Sequence, residues 1–92
     1  MPRPRGERRI KGVPNAFFYK PQGIPLRQLE IVDITLEEFE SLRLKDVLGF
    51  QQEQCALQMR VSQSTFQRII VQAHYKIAYA FTKGAAIRIA KK

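Results

Sequence analysis

The sequence predicts a mainly α-helical domain: three helices forming a helix-turn-helix, preceded by an irregular basic arm and completed by a short sheet. Three observations carry that expectation. All five prolines fall within residues 1–28. A Thr35-Leu36-Glu37-Glu38 capping box opens a helical stretch. From Phe66 onward, apolar residues stand at 66, 69, 70, 73, 77, 80 and 81, which is one face of a 3.6-residue helix.

Proline fixes φ and removes a donor, so Pro2, Pro4, Pro14, Pro21 and Pro25 exclude a long helix in residues 1–28. Gly6, Gly12 and Gly23 punctuate the same arm. Ala16-Phe17-Phe18-Tyr19 is an apolar island within it, expected to pin the arm to the domain. The remainder, 29–92, forms the domain. Its first stretch, 29–34, leans toward β-structure, and Ala86-Ile87-Arg88-Ile89 alternates in the same way. These two pieces are expected to pair as a two-stranded sheet, within one chain or between two.

The first helix should run over about 35–47. Thr35 caps the Glu38 amide, and Glu37 and Glu38 suit the positive end of the dipole. Leu36, Phe39, Leu42 and Leu44 supply its apolar positions, and Gly49 ends it. A second helix should cover about 51–59. The third should follow Ser62 as N-cap, cover about 63–82, and stop at Gly84.

Charge narrows the function. Sixteen Lys and Arg oppose eight Asp and Glu, for a net charge of +8, which favours polyanionic partners. No carboxylate side chain follows Glu53, yet Arg60, Arg68, Lys76, Lys83, Arg88, Lys91 and Lys92 do. Arg3, Arg5, Arg8, Arg9 and Lys11 crowd the start. One cysteine, Cys55, cannot form an internal disulfide and fits a reducing compartment. No run of about 18 apolar residues predicts a membrane span. The basic start lacks the apolar run of a signal peptide. A cytoplasmic, nucleoid-associated protein is expected.

Residues 52–71 carry the motif. A helix-turn-helix buries a few fixed positions and lays the front of its second helix in the major groove. Cys55, Ala56, Met59, Val61, Phe66 and Ile69 fill the six apolar anchors. Between them stand Gln63, Ser64, Thr65, Gln67 and Arg68. Gln pairs bidentately with adenine, Arg with guanine, and Ser or Thr with bases or phosphates. At about 100° per residue, Ser64 and Arg68 point away from the buried face. Gln63, Thr65 and Gln67 flank them. Arg60 stands at the turn position often held by Gly, where φ is positive, at a cost of roughly 1 kcal/mol. Its charge is placed where phosphate would pass.

These residues resemble a family of small predicted DNA-binding proteins of bacteria and archaea, domain of unknown function 134. The resemblance lies in Arg3-Pro4-Arg5, in Thr35 through Asp46, in Gln52-Glu53-Gln54-Cys55-Ala56, in Met59 through Arg68, and in Gly84-Ala85-Ala86-Ile87-Arg88-Ile89. It implies a helix-turn-helix similar to region 4 of sigma factors, with a regulatory role. Family members commonly carry Gly at the place of Arg60 and Arg at the place of Gln63. Some also carry a domain resembling one that binds an iron–molybdenum cofactor. No such segment stands within these 92 residues, so no cofactor is expected.

The remaining residues leave alternatives open. The basic arm could enter a minor groove, where Arg is favoured, or act as a tail adding non-specific attraction. His74 is expected to be a partly buried spacer at the edge of the apolar face, and Cys55 small core filler. No metal site is expected. Glu37, Glu38 and Glu40 have no nucleophile, phosphate loop or metal cluster beside them. Capping and solvation explain them better than catalysis, so no enzyme activity is expected. Val71, Tyr75, Ala78 and Tyr79 lie opposite the first apolar face of the third helix. Phe17, Phe18 and Tyr19 could cover them, or a second copy could, giving a homodimer matched to two half-sites. The favoured function is sequence-specific double-stranded DNA binding in transcription regulation. The alternative is a module docking on the transcription machinery without reading DNA, and RNA binding is a weaker third.

Overall fold

A computed structural model describes residues 9–91. Arg3, Arg5 and Arg8 lie outside the described residues. The elements run β1 (Phe18–Tyr19), β2 (Ile31–Ile34), α1 (Leu36–Leu42), α2 (Gln52–Met59), α3 (Gln63–Lys83) and β3 (Ala86–Ile89). A 3-10 turn covers Leu26–Gln28, and a wider π-helical turn at Arg43–Val47 extends α1.

The helix boundaries follow from their caps. Thr35 and Glu38 form the expected reciprocal pair: Thr35 Oγ1 accepts from the Glu38 amide at 3.1 Å, and Glu38 Oε1 accepts from the Thr35 amide at 3.0 Å. Ser62 Oγ accepts from the Thr65 amide at 3.1 Å and opens α3. Gly84, at φ 70°, closes it.

The chain leaves α2 through Arg60, at φ 59°, the one non-glycine residue with positive φ among those described. The Arg60 amide donates to Leu57 O and the Val61 amide to Ala56 O, the paired bonds of a Schellman motif. A side chain in that conformation is strained. Arg60→Gly is expected to raise the unfolding free energy by about 0.5–1 kcal/mol, less the backbone entropy glycine adds to the unfolded chain. Urea unfolding reads this, and a drop in stability would contradict the strain.

Two packed regions hold the helices. Leu44, Cys55, Ala56, Met59, Phe66 and Ile70 form a buried cluster, with Leu42, Phe50, Val61 and Ile69 packed against it. All six anchors therefore contribute, four of them buried. Burial pushes the Cys55 thiol up, as befits a residue that fills space. Farther along α3, Ala73 and Ala80 are buried, as are Ile34, Ala86 and Ile89 of the sheet.

The sheet has three strands in the order β1-β3-β2. β2 and β3 pair in parallel within one chain, Ile31 opposite Ala86 and Ile34 opposite Ile89. The third strand was not expected. Phe18 and Tyr19 pair antiparallel with Arg88 and Ile87, so the apolar island of the arm is a sheet edge. Across the sheet, Arg88 Nε donates to Asp33 Oδ1 at 2.6 Å. That hydrogen bond and the charge behind it hold the Asp33 carboxyl below its usual range.

Three expectations about side chains need correcting. Ile77 and Phe81 do not close the buried face of α3; both are exposed, Phe81 by 86%. The buried line along the later part of α3 is Ala73 and Ala80 alone. His74 is an exposed residue whose Nε2 lies 2.6 Å from Asp46 Oδ2, not a partly buried spacer. Glu40 is not solvated; it is 1% exposed.

Candidate nucleic-acid interface

The start of α3 is held from behind and open in front. Phe66 and Ile70 drive one side of the first two turns into the core. Gln63, Ser64, Gln67 and Arg68 are exposed on the other, and Thr65 is half-buried. The hydroxyls are partly ordered before any partner arrives. Ser62 Oγ donates to Thr65 Oγ1 at 3.0 Å and lies 3.2 Å from Ser64 Oγ. These contacts tie the short side chains together, beside the exposed Gln63, Gln67 and Arg68.

Arg68 borders a shallow groove between α3 and the start of α1, shared with Thr35, Glu37, Glu38, Thr65, Ile69 and Gln72. Glu38 is not a competitor there, because its carboxylate is bound by its own cap and by Lys76 Nζ at 3.0 Å. Lys76 also donates to Asp33 O at 2.9 Å, which ties α3 to the end of β2. Among the described residues, Arg60 and Arg68 form no ion pair, and both are exposed.

The arm is placed by main-chain bonds. The Arg9 amide donates to Met59 O at 3.0 Å, beside the turn between α2 and α3. Arg9 and Lys11 are exposed. One feature was missed in the sequence: Gln51 opens α2 with no side-chain cap. Only the absence of Ser, Thr, Asp or Asn at position 51 could have signalled this.

The opposite face of α3 divides. Tyr79 is half-buried, and its hydroxyl donates to both oxygens of Glu30 at 2.9 Å. That bond, with burial and the nearby carboxylate, pushes the phenol up. Val71 and Tyr75 stay exposed. The arm does not cover them: Tyr19, Lys20 and Pro21 lie instead along Ile77, Ala80 and Phe81.

Comparison with known proteins decides the family. The description "Protein of unknown function DUF134" matches residues 1–91. The chain belongs to this family. A UPF0251 protein of Dehalococcoides mccartyi is 53% identical over 89 residues, covering 97% of this chain and 76% of the relative. A UPF0251 protein of Syntrophomonas wolfei is 55% identical over 82 residues, covering 89% and 63%. One from Caldanaerobacter subterraneus is 52% identical over 89 residues, covering 97% and 75%. No solved structure matches the chain. Among the described residues of this DUF134 protein, no helix is long and apolar enough to cross a membrane. No group of three metal-ligating side chains converges among them either.

Proposed function

We propose that this DUF134 protein binds double-stranded DNA sequence-specifically and regulates transcription through that binding. One observation carries the reading. The capped front of α3 presents Gln63, Ser64, Gln67 and Arg68 outward from a helix anchored by Phe66, with no carboxylate anywhere on that helix. In this geometry the first two turns of α3 enter the major groove and Arg68 reads a base edge. Arg60, at the turn before α3, meets phosphates. Arg9, tied at Met59 beside that turn, Lys11 and the earlier arginines add further phosphate contacts. These contacts position the protein, while α3 supplies the sequence preference.

The test is a genome-fragment selection with the purified protein, followed by gel-shift titration on a selected site. Arg68→Ala should weaken specific binding by about 1–3 kcal/mol, the worth of a bidentate pair. Raising salt should weaken wild type and variant alike. Equal binding by the two proteins would remove the reading.

A second reading has its own support. Leu57 and Phe81 are large apolar side chains standing 73% and 86% exposed. Such residues suit a module that docks on the transcription machinery without reading DNA. Capture of one protein with no DNA enrichment, unchanged at high salt, would favour it. A second copy seated on Val71 and Tyr75 would give the homodimer, and Tyr79 contributes less because Glu30 already holds it.

A further inference from the structure

Glu40 has no part in the reading above, yet it is the most completely bonded side chain described. It lies in the last turn of α1, 1% exposed, and faces the arm. Its carboxylate accepts four hydrogen bonds: from the Lys11 amide at 3.2 Å, the Gly12 amide at 3.0 Å, Arg43 Nε at 2.9 Å and Arg43 Nη2 at 2.7 Å. Two main-chain donors of the arm thus sit on one carboxylate, and the guanidinium fork closes behind it.

The approach is too close for a side chain at position 12. A Cβ on Gly12 would stand 2.5 Å from Arg43 Nε and 2.8 Å from Glu40 Oε1. Pro14 follows, buried, and Arg9 is bonded to Met59 O on the other side. Packing alone does not require a charge here, since an apolar residue fills a buried site at lower cost. What the carboxylate adds is acceptors for the two amides of the arm.

The geometry points to Glu40, with Arg43 and Gly12, as a positioning device that fixes where the basic arm leaves the domain, so that the arm tracks the duplex read by α3. This inference rests on the DNA-binding reading. Chain arithmetic supports it. Met59 is three residues before Ser62, so the tie at Arg9 lies within roughly 10–13 Å of the N-cap of α3. The eight residues before Arg9 include Arg3, Arg5 and Arg8, and eight residues span at most about 29 Å. Half a turn of duplex, from one groove to the next, is about 17 Å. The latch sits between the single main-chain bond at Arg9 and the buried Pro14; where that bond lets go with it, the next main-chain hydrogen bond holding the arm is at Phe17, whose carbonyl accepts from Ile89 in the sheet. The span from residue 1 to its first hydrogen-bonded point is then about twice as long, sixteen residues against eight. Effective concentration falls roughly as the −3/2 power of tether length, so the arm's contribution should drop roughly threefold.

The experiment is a cycle of four proteins on a selected duplex: wild type, deletion of residues 1–8, Glu40→Gln, and both changes together. Hydrogen exchange of the Lys11 and Gly12 amides is followed without DNA. The deletion should weaken wild-type binding and reduce its salt slope, and should cost roughly threefold less in the Glu40→Gln background. Both amides should exchange faster in that variant. Gly12→Ala, which breaks the same grip by crowding, should reproduce both effects and guards against an unfolded Glu40→Gln protein. Equal deletion cost in the two backgrounds overturns the inference and leaves the DNA-binding reading standing. Equal amide exchange in wild type and variant overturns it without reference to DNA. A wild type that binds no duplex overturns both.

Discussion

Phe66→Ala should lower the unfolding free energy by about 3–5 kcal/mol, read as a fall in the urea midpoint at unchanged slope. Phe66 is fully buried in the cluster of Leu44, Cys55, Ala56, Met59 and Ile70. That cluster joins all three helices, so little can collapse into the space the ring leaves. A domain of this size holds only about 5–15 kcal/mol in total, so the variant would be close to its unfolding limit. Phe81→Ala on the same helix provides the contrast. Its ring is exposed, so the change should stay within about 0.5 kcal/mol. A loss below about 1 kcal/mol at Phe66 would mean that this three-helix cluster is not the support for α3 described above.

Glu40→Ala should cost about 2–4 kcal/mol at neutral pH. Removing one partner of a buried ion pair typically costs 3–5 kcal/mol. The lower figure applies because the Arg43 side chain keeps 28% exposure and can be rehydrated. The pH dependence has a definite sign. Burial pushes the Glu40 carboxyl up, but the bonds from Arg43, Gly12 and Lys11 and the Arg43 charge outweigh it, holding the carboxyl below its ordinary value. A carboxyl depressed in the folded state binds fewer protons there than in the unfolded chain. Its contribution is therefore complete above the unfolded value and is lost as pH falls through the folded one. Wild type should lose stability on acidification below about pH 5, and Glu40→Ala should lose less of it. Urea unfolding at pH 7 and pH 4 measures the difference. Parallel losses in the two proteins would show that Glu40 is not the responsible group.

The elements legible in the sequence are those whose signals are local. Thr35 with Glu38, and Ser62 three residues before Thr65, mark helix starts through bonds within one turn. The arrangement of Gln63, Ser64, Gln67 and Arg68 around Phe66 follows from helical period alone. What sequence reading missed depends on contacts across the chain. Phe18–Tyr19 is too short to show a strand pattern and exists because β3 offers an edge. Glu40 reads as one more acid on an acidic helix, and its burial is set by main-chain amides 28 and 29 residues away. Ile77 and Phe81 obey the helical period, but period cannot say how far around the helix its cover extends.

Strand order also governs when this domain can be finished during translation. β3 is made after every other described element, yet it stands at the centre of the sheet. Until residue 89 clears the ribosome, a nascent chain holds two separate edge segments, 18–19 and 31–34, with nothing between them. The partners that unite them, Phe18 with Arg88 and Asp33 with Arg88, are separated by most of the polypeptide. Closing such long loops is slow relative to forming helices. The three helices can assemble early on the emerging chain, while the sheet is completed in a late step once synthesis has delivered its middle strand.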